Sequence, residues 1–599
     1  MMMRFFRTGS MGLLVCVACV LEVNVAEADP AKCNAYSENV FETNSSTGSP
    51  WLSSADNRDA QCGGFVNKMN TYSDAERQFW SGLRVPSRFK EGTDGSGTDG
   101  MDNSDFAMIC SHGWTSTSPN RFTWAMYHVN STVHSTEMRL GDDGLGLSIL
   151  LNYTCDTMNV YNGHSSLWRS RWWQVFNGGL RTALGFWGLS YSNTSNSATA
   201  GTNFAECIHG SGAIFRNCWF SVMSAAHSGN TPIVMVAGSD MNNAFYRLQN
   251  MSMSNWYKMA RLRDSCALYL TYSVLNSSAS VPDIYAANHE MESVFGRSVP
   301  LYATVLGTDR KSSMRNIQNA FLDIDNVDPP IGRVKHDKHI DSYGNESWQL
   351  MAYDDGSHIS YINREISDKY GYEELERYFA VSSELDQATK SIVESIAREF
   401  RDRNVVSLLN MHKNEKIVPL SVDLDIVGFA DKRNQDILEY VNGYRVSYYR
   451  ALPELPVIGS GSKINVLMNS RKEVYGVNYD WVELKAVDKA DVITKDEYLA
   501  RKYSLIDINS GDWKEQFEYC GYYDPGSENR LDYNYEVFQP ACYVGIKNEK
   551  TLETKLFLIP ILESDQIIPQ NNWPESYHFA GLKWDKSLLG EDYYMNKED

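Results

Sequence analysis

The apolar run Phe106–Cys110 breaks onto His112-Gly113, and 43 residues further on Cys155 ends a second apolar run, Leu147–Cys155. An imidazole and a thiol so delivered are the side chains of covalent acyl transfer. The thiol attacks a carbonyl carbon and the imidazole manages the proton that reaches the leaving amine, so the two need only flank the scissile bond. Glycine after the histidine lets a backbone N–H approach a substrate closely. With the N–H of Cys155, that of Gly113 would form an oxyanion hole. Other chemistries are poorly served. His128 and His134 miss the helical spacing of a metal pair, and "NHEME" (Asn288–Glu292) lacks the second histidine of a zinc helix. The Asp-rich run Gly92–Asp105 has Asp99 where a calcium loop requires glycine, and it reads as a solvated loop. No serine-hydrolase elbow or phosphate loop is present. We expect neither metal nor cofactor.

Two side chains so distant in sequence meet only if their strands are neighbours, and in an open parallel sheet ligands gather at the carboxyl ends of the strands. The required strands are visible. Phe106–Cys110, Leu147–Cys155, Thr182–Tyr191 and Pro232–Gly238 are apolar without polar alternation, and helical stretches at Trp168–Leu180, Phe204–His209 and Ile214–Ala226 lie between them. That succession predicts an α/β domain whose parallel sheet is flanked by helices on both faces. Asp74–Leu83 reads as a further helix, and the aromatic spacing of Trp168, Trp172, Trp173 and Phe176 reads as packing. Downstream, Ser382–Arg403 is an amphipathic helix with Leu385, Ala388, Ile392, Ile396 and Phe400 on one face and a capping box from Ser383 and Asp386. Strand-like segments follow it, the signature of an α+β module, and the last hundred or so residues are β-rich.

Composition sets the compartment. The chain has 599 residues, is 43% hydrophobic and carries a net charge of −20, which excludes nucleic acid and anionic membrane as partners. Arg4, Arg7, an apolar stretch and Ala26-Glu27-Ala28 compose a signal peptide over 1–28, so a secreted or periplasmic protein is expected, with no membrane span beyond the leader. Nine cysteines follow the leader, an odd number in a compartment that preserves disulfides. Cys33 with Cys62, Cys520 with Cys542 and Cys207 with Cys218 are the expected bridges, leaving Cys110, Cys155 and Cys266. Asn152, in an N-x-T sequon within the second strand, is a glycan acceptor only if that strand is not buried. The expected domains are 29–275 (α/β), 276–380 (linker and accessory strands, from the junction Leu275–Asp283), 381–490 (α+β) and 491–599 (β-rich).

The order strand, His112-Gly113, intervening segment, strand, Cys155 resembles the caspase-like fold of clan CD cysteine peptidases. From about Cys33 to Trp256, tracts such as "FNGGLRTALGF" and "PIVMVAGSDMNNAFYRLQNM" also resemble a family of exported, mostly bacterial proteins of unknown function. Ser111 stands where that pattern has glycine before the histidine. The resemblance implies a caspase-like parallel sheet, Cys155 as nucleophile, His112 as acid/base and a peptide or protein as substrate. Tyr444–Trp481 is loosely similar to the cystatin-like, PepSY-type modules of secreted peptidase propeptides. The expected function is a secreted cysteine peptidase with a Cys-His dyad; the alternative is a catalytically inactive binding protein of the same fold.

Overall fold

Near-continuous apolar strands must be covered on both faces, and that need organises the first half of the molecule. The computed structural model describes residues 32–563 apart from internal segments, the longest being 38–57, 275–293 and 306–334. The leader and the junction Leu275–Asp283 lie outside the described residues. In chain order the elements are β1 (Cys33–Ser37), α1 (Arg58–Met69), β2 (Arg77–Ser81), β3 (Phe106–Cys110), a hairpin sheet of β4 (Gly113–Thr117), β5 (Asn120–Ala125) and β6 (Thr132–His134), then β7 (Ile149–Tyr153), α2 (Trp168–Phe176) and β8 (Thr182–Phe186). They continue with α3 (Ser195–Ile208), α4 (Phe215–Ala226), β9 (Pro232–Gly238), α5 (Met241–Asn250) and β10 (Ala267–Val274).

Strands β2, β1, β3, β7 and β8 pair in that order, all parallel. The pleat sorts their side chains to two faces. Ala107, Ile109, Leu150 and Ala183 pack with Trp168, Trp172 and Phe176 of α2. Phe106, Met108, Ile149 and Leu151 pack with Phe65 of α1, Phe204 of α3 and Trp219 of α4. The aromatic run on α2 is thus core, as its spacing predicts.

Two expectations change. Asp74–Leu83 is not a helix: Arg77–Ser81 forms the edge strand β2, because pairing with β1 outweighs the local helical preference of its residues. Strand β9 runs antiparallel to β8, since two helices, α3 and α4, separate them and return the chain to the end it left. The expected α/β and α+β regions share a sheet. β10 pairs antiparallel with both β9 and Lys416–Asp431, so one sixteen-stranded sheet runs on through Ile437–Ala451, Lys463–Asn469, Val474–Asp480 and His358–Asn363. The chain is of mixed α/β content and β-rich.

The helix Gln387–Asn404 covers one face of this antiparallel part. Its buried stripe is Val393, Ala397 and Phe400, while Ile392 is 50% exposed, so the apolar face is rotated from the expected one. Asp386 is itself the N-cap, accepting from the Thr389 N–H at 2.9 Å, and Ser383 lies outside the described residues. A third core beyond residue 290 joins two small sheets around Cys520, Tyr522 and Phe538.

Disulfides join Cys207 with Cys218 and Cys520 with Cys542, as expected, but Cys62 bridges Cys110 rather than Cys33. Strand register gives the reason. Cys33 lies opposite Phe106 at the amino end of the strands, whereas Cys110 lies opposite Ser37 at the carboxyl end. Cys62 stands at the latter end, its sulfur 3.2 Å from the Tyr36 carbonyl. Cys33 is buried on β1, outside these bridges, and Cys266 is outside the described residues.

Candidate functional site

Parallel register brings the two reactive side chains to one edge. Phe106 pairs with Ile149 and so on to Cys110 with Tyr153, so His112 and Cys155 each stand two residues beyond the last pair. Neighbouring strands lie about 4.8 Å apart. The Ser111 N–H continues the ladder by donating to the Tyr153 carbonyl at 3.4 Å.

Gly113 is required here by close approach. A Cβ on it would lie 2.4 Å from Thr157 Cγ2 and 2.9 Å from both the Cys155 carbonyl oxygen and Thr154 Oγ1. The His-Gly step therefore presses directly on the loop that carries Cys155, and any side chain would push the two apart. Gly113 also opens β4, opposite Trp124 of β5.

The loop is held by a buried polar network that the sequence did not announce. Asn152 Oδ1 accepts from Trp124 Nε1 at 3.0 Å and from Thr154 Oγ1 at 2.8 Å, while its Nδ2 donates to Thr157 Oγ1 at 2.6 Å. Thr154 and Thr157 hydroxyls are 2.9 Å apart. Asn152 is fully buried, so its amide is a structural donor in the folded chain rather than a glycan acceptor. Asp156, next to Cys155, takes a left-handed conformation (φ 56°) that favours Asn or Asp among non-glycine residues. Its N–H donates to the Gly188 carbonyl at 2.6 Å, and its carboxylate accepts from Thr115 Oγ1 at 3.1 Å and Asn159 Nδ2 at 2.6 Å. Those bonds occupy both oxygens in bracing the loop to the hairpin.

Both reactive groups sit in surroundings that disfavour charge. Cys155 Sγ accepts from the Ser190 N–H at 3.4 Å and lies 3.4 Å from its hydroxyl and 3.5 Å from its carbonyl. Burial pushes the thiol above the ordinary cysteine range, and Asp156 adds to this; the Ser190 contacts and Arg58 pull the other way. Burial holds His112 well below the ordinary histidine range, with the Arg58 charge acting in the same direction. Arg58, first residue of α1, donates from Nη2 to His112 Nδ1 at 3.3 Å. A guanidinium has no lone pair to offer, so Nδ1 is the acceptor and the neutral ring carries its proton on Nε2. At rest the pair is a neutral thiol beside a neutral imidazole. The cation in contact with the imidazole is Arg58.

The Asp-rich run holds a second surprise. Asp102 is fully buried and accepts from the N–H groups of Gly141 (2.7 Å), Asp142 (3.0 Å) and Asp143 (3.1 Å), just ahead of β7. Among the described residues no cluster of three or more His, Cys, Asp or Glu is placed to hold a metal ion, and no helix is long and apolar enough to cross a membrane.

Fold and site together define a mixed α/β protein that presents a histidine and a cysteine at the carboxyl edge of five parallel strands. Residues 39–263, a stretch that contains both, match the model of a family described as a domain of unknown function (DUF6345). No curated protein matches the chain. Among solved structures, an uncharacterized protein from Eubacterium rectale is similar at 9% identity and a TM-score of 0.27, over 44% of this chain and 84% of that one.

Proposed function

We propose that the protein is a cysteine peptidase of the caspase-like kind, acting outside the cytoplasm through Cys155 and His112. The observation that carries this reading is the β3–β7 register, which puts both residues two positions beyond the ends of neighbouring strands. Cys155 Sγ attacks the peptide carbonyl, and the oxyanion is met by the N–H groups of Gly113 and Cys155. The thiol proton leaves to solvent before attack; the leaving nitrogen accepts a hydrogen bond from the His112 Nε2–H and takes its proton from water as the C–N bond breaks, leaving a thioester. Water then cleaves the thioester: its hydroxyl goes to the acyl group and its hydrogen restores the thiol. Three disulfides agree with an oxidising location. A peptide-library screen on the full-length protein tests this. Cys155→Ala and His112→Ala should each lower kcat/KM by about 10³-fold or more, with Cys33→Ala retaining activity. Because burial raises the thiol, turnover should climb with pH into the alkaline range.

The neutral resting pair also favours a second reading, a binding protein that keeps the fold without turnover. Peptide binding that survives Cys155→Ala, with no cleavage by the wild type at any pH, would select it.

A further inference from the structure

The contact between Arg58 and His112 assigns a role to a residue far from either reactive group in sequence. α1 begins with Arg58, and one turn later Cys62 is covalently bound to Cys110, two residues before His112. The bridge therefore clamps the start of α1 to the end of β3, with Cα atoms 6.2 Å apart, and delivers the guanidinium to the site. Arg58 is 3% exposed, so this cation is held in a poorly solvated place where its field is strong.

We propose that Arg58 is the third member of the site, a disulfide-clamped positioning residue that fixes His112 as the Nε2–H tautomer and supplies the counter-cation for a Cys155 thiolate. This rests on the dyad reading of His112 and Cys155 but not on turnover. With Nδ1 occupied, the imidazole keeps its proton on Nε2 and can act only as a donor there. The guanidinium lies 3.3 Å from His112 Nδ1, and Gly113, the next residue, packs so close to Cys155 that an added Cβ would stand 2.9 Å from its carbonyl oxygen, so the cation can balance a thiolate without an imidazolium. The groups facing Cys155 are Arg58 and the Ser190 backbone and hydroxyl, which favour the thiolate, and Asp156, which opposes it. His112 faces Arg58. The arrangement also explains how a thiol enzyme would keep a disulfide beside its nucleophile: the oxidised pair Cys62–Cys110 is the form that holds the cation in place.

The test reads ionisation rather than catalysis. Iodoacetamide labelling of Cys155 is followed against pH by peptide mapping, and His112 is titrated by NMR, for wild type, Arg58→Met and Arg58→Lys, each checked by circular dichroism for the native fold. Arg58→Met should move the labelling curve to higher pH and slow labelling at pH 8 by about three- to tenfold, while His112 titrates closer to the ordinary histidine range. Arg58→Lys should restore the labelling curve. A Cys62→Ala/Cys110→Ala variant should shift it in the same direction as Arg58→Met. If Arg58 only packs, its loss would loosen the site and labelling would speed up; that outcome, or an unmoved curve, overturns the proposal. Absence of peptidase activity alongside the expected shifts would count against the proposed function and leave the role of Arg58 standing.

Discussion

The two halves of the long sheet treat polar residues in opposite ways. In the parallel half, β1, β3, β7 and β8 are buried from end to end, so polar chemistry is displaced to the strand ends, where Ser111, His112, Thr154 and Cys155 sit. In the antiparallel half, the helix Gln387–Asn404 covers one face of Lys416–Asp431, Ile437–Ala451 and Lys463–Asn469, and polar residues gather on the other face. On Lys463–Asn469 the residues Ile464, Val466 and Met468 are core, while Asn465 accepts from Ser447 Oγ at 2.7 Å. Arg445 pairs with buried Asp423 at 2.9 Å on the same polar side, and Lys463, pushed down to about 8 by burial, stands near Asp524 and Asp480. Mid-strand polar residues there are partnered across strands, whereas at the parallel strand ends Thr154 bonds Asn152 and Thr157 of its own loop and His112 meets Arg58. Position relative to the strand separates the two classes better than residue type.

The comparison breaks most severely if the halves are cut apart. All eight residues of β10 pair with Lys416–Asp431, and the strand "ALYLTYSV" is apolar. A chain ending at Ser280 would bare that edge, an invitation to strand addition. Expression of 29–280 should therefore give aggregated or self-associated protein by size-exclusion chromatography. A monodisperse, folded fragment would show that the parallel half is an independent unit after all.

A smaller effect sharpens the account of the parallel half. Burial raises the Asp102 carboxyl to about 6, against an unfolded value near 3.8, despite its backbone hydrogen bonds. Because the folded value is the higher one, its contribution is fully present below about pH 4, where both states are protonated, and declines as the pH rises to about 6. Two pK units correspond to about 3 kcal/mol. Asp102→Asn should flatten the stability profile between pH 4 and 6 in urea titrations, while wild type loses stability over that window. An unchanged slope would place the origin elsewhere, for instance at Asp105, which burial also raises.

How much of this was legible follows from range. β3 is read correctly because five apolar residues ended by His-Gly leave few alternatives, and the pairing of β3 with β7 agrees with the expected strand order. Arg58 was not legible: "DNRDAQC" carries no motif, and its partner is 54 residues away. Asn152 was placed in a core strand by sequence, but its bonds to Trp124, Thr154 and Thr157 carry no local signal. Cys62 was matched to the wrong cysteine because loop length ranks Cys33 first, whereas the strand register places it at the far end of β1. Each miss is a tertiary contact overriding a local pattern.

The helix Gln387–Asn404 offers the smallest and most discriminating test of that point. Its sequence supports two apolar stripes one residue apart. One, through Leu385, Ala388, Ile392, Ile396 and Phe400, was the expected core face; the buried stripe, Val393, Ala397 and Phe400, shares only Phe400 with it. Val393 is fully buried among the residues that line the strands Lys416–Asp431 and Lys463–Asn469, so truncation leaves a void that the strands cannot close. Val393→Ala should cost about 1.5–3 kcal/mol in denaturant titration. Ile392, half in solvent, loses little area when replaced, and Ile392→Lys should stay within about 0.5 kcal/mol of wild type. A reversal, with Ile392→Lys the more damaging, would mean that the helix rests on its other stripe, and the polar and apolar faces of the antiparallel half would then have to be reassigned.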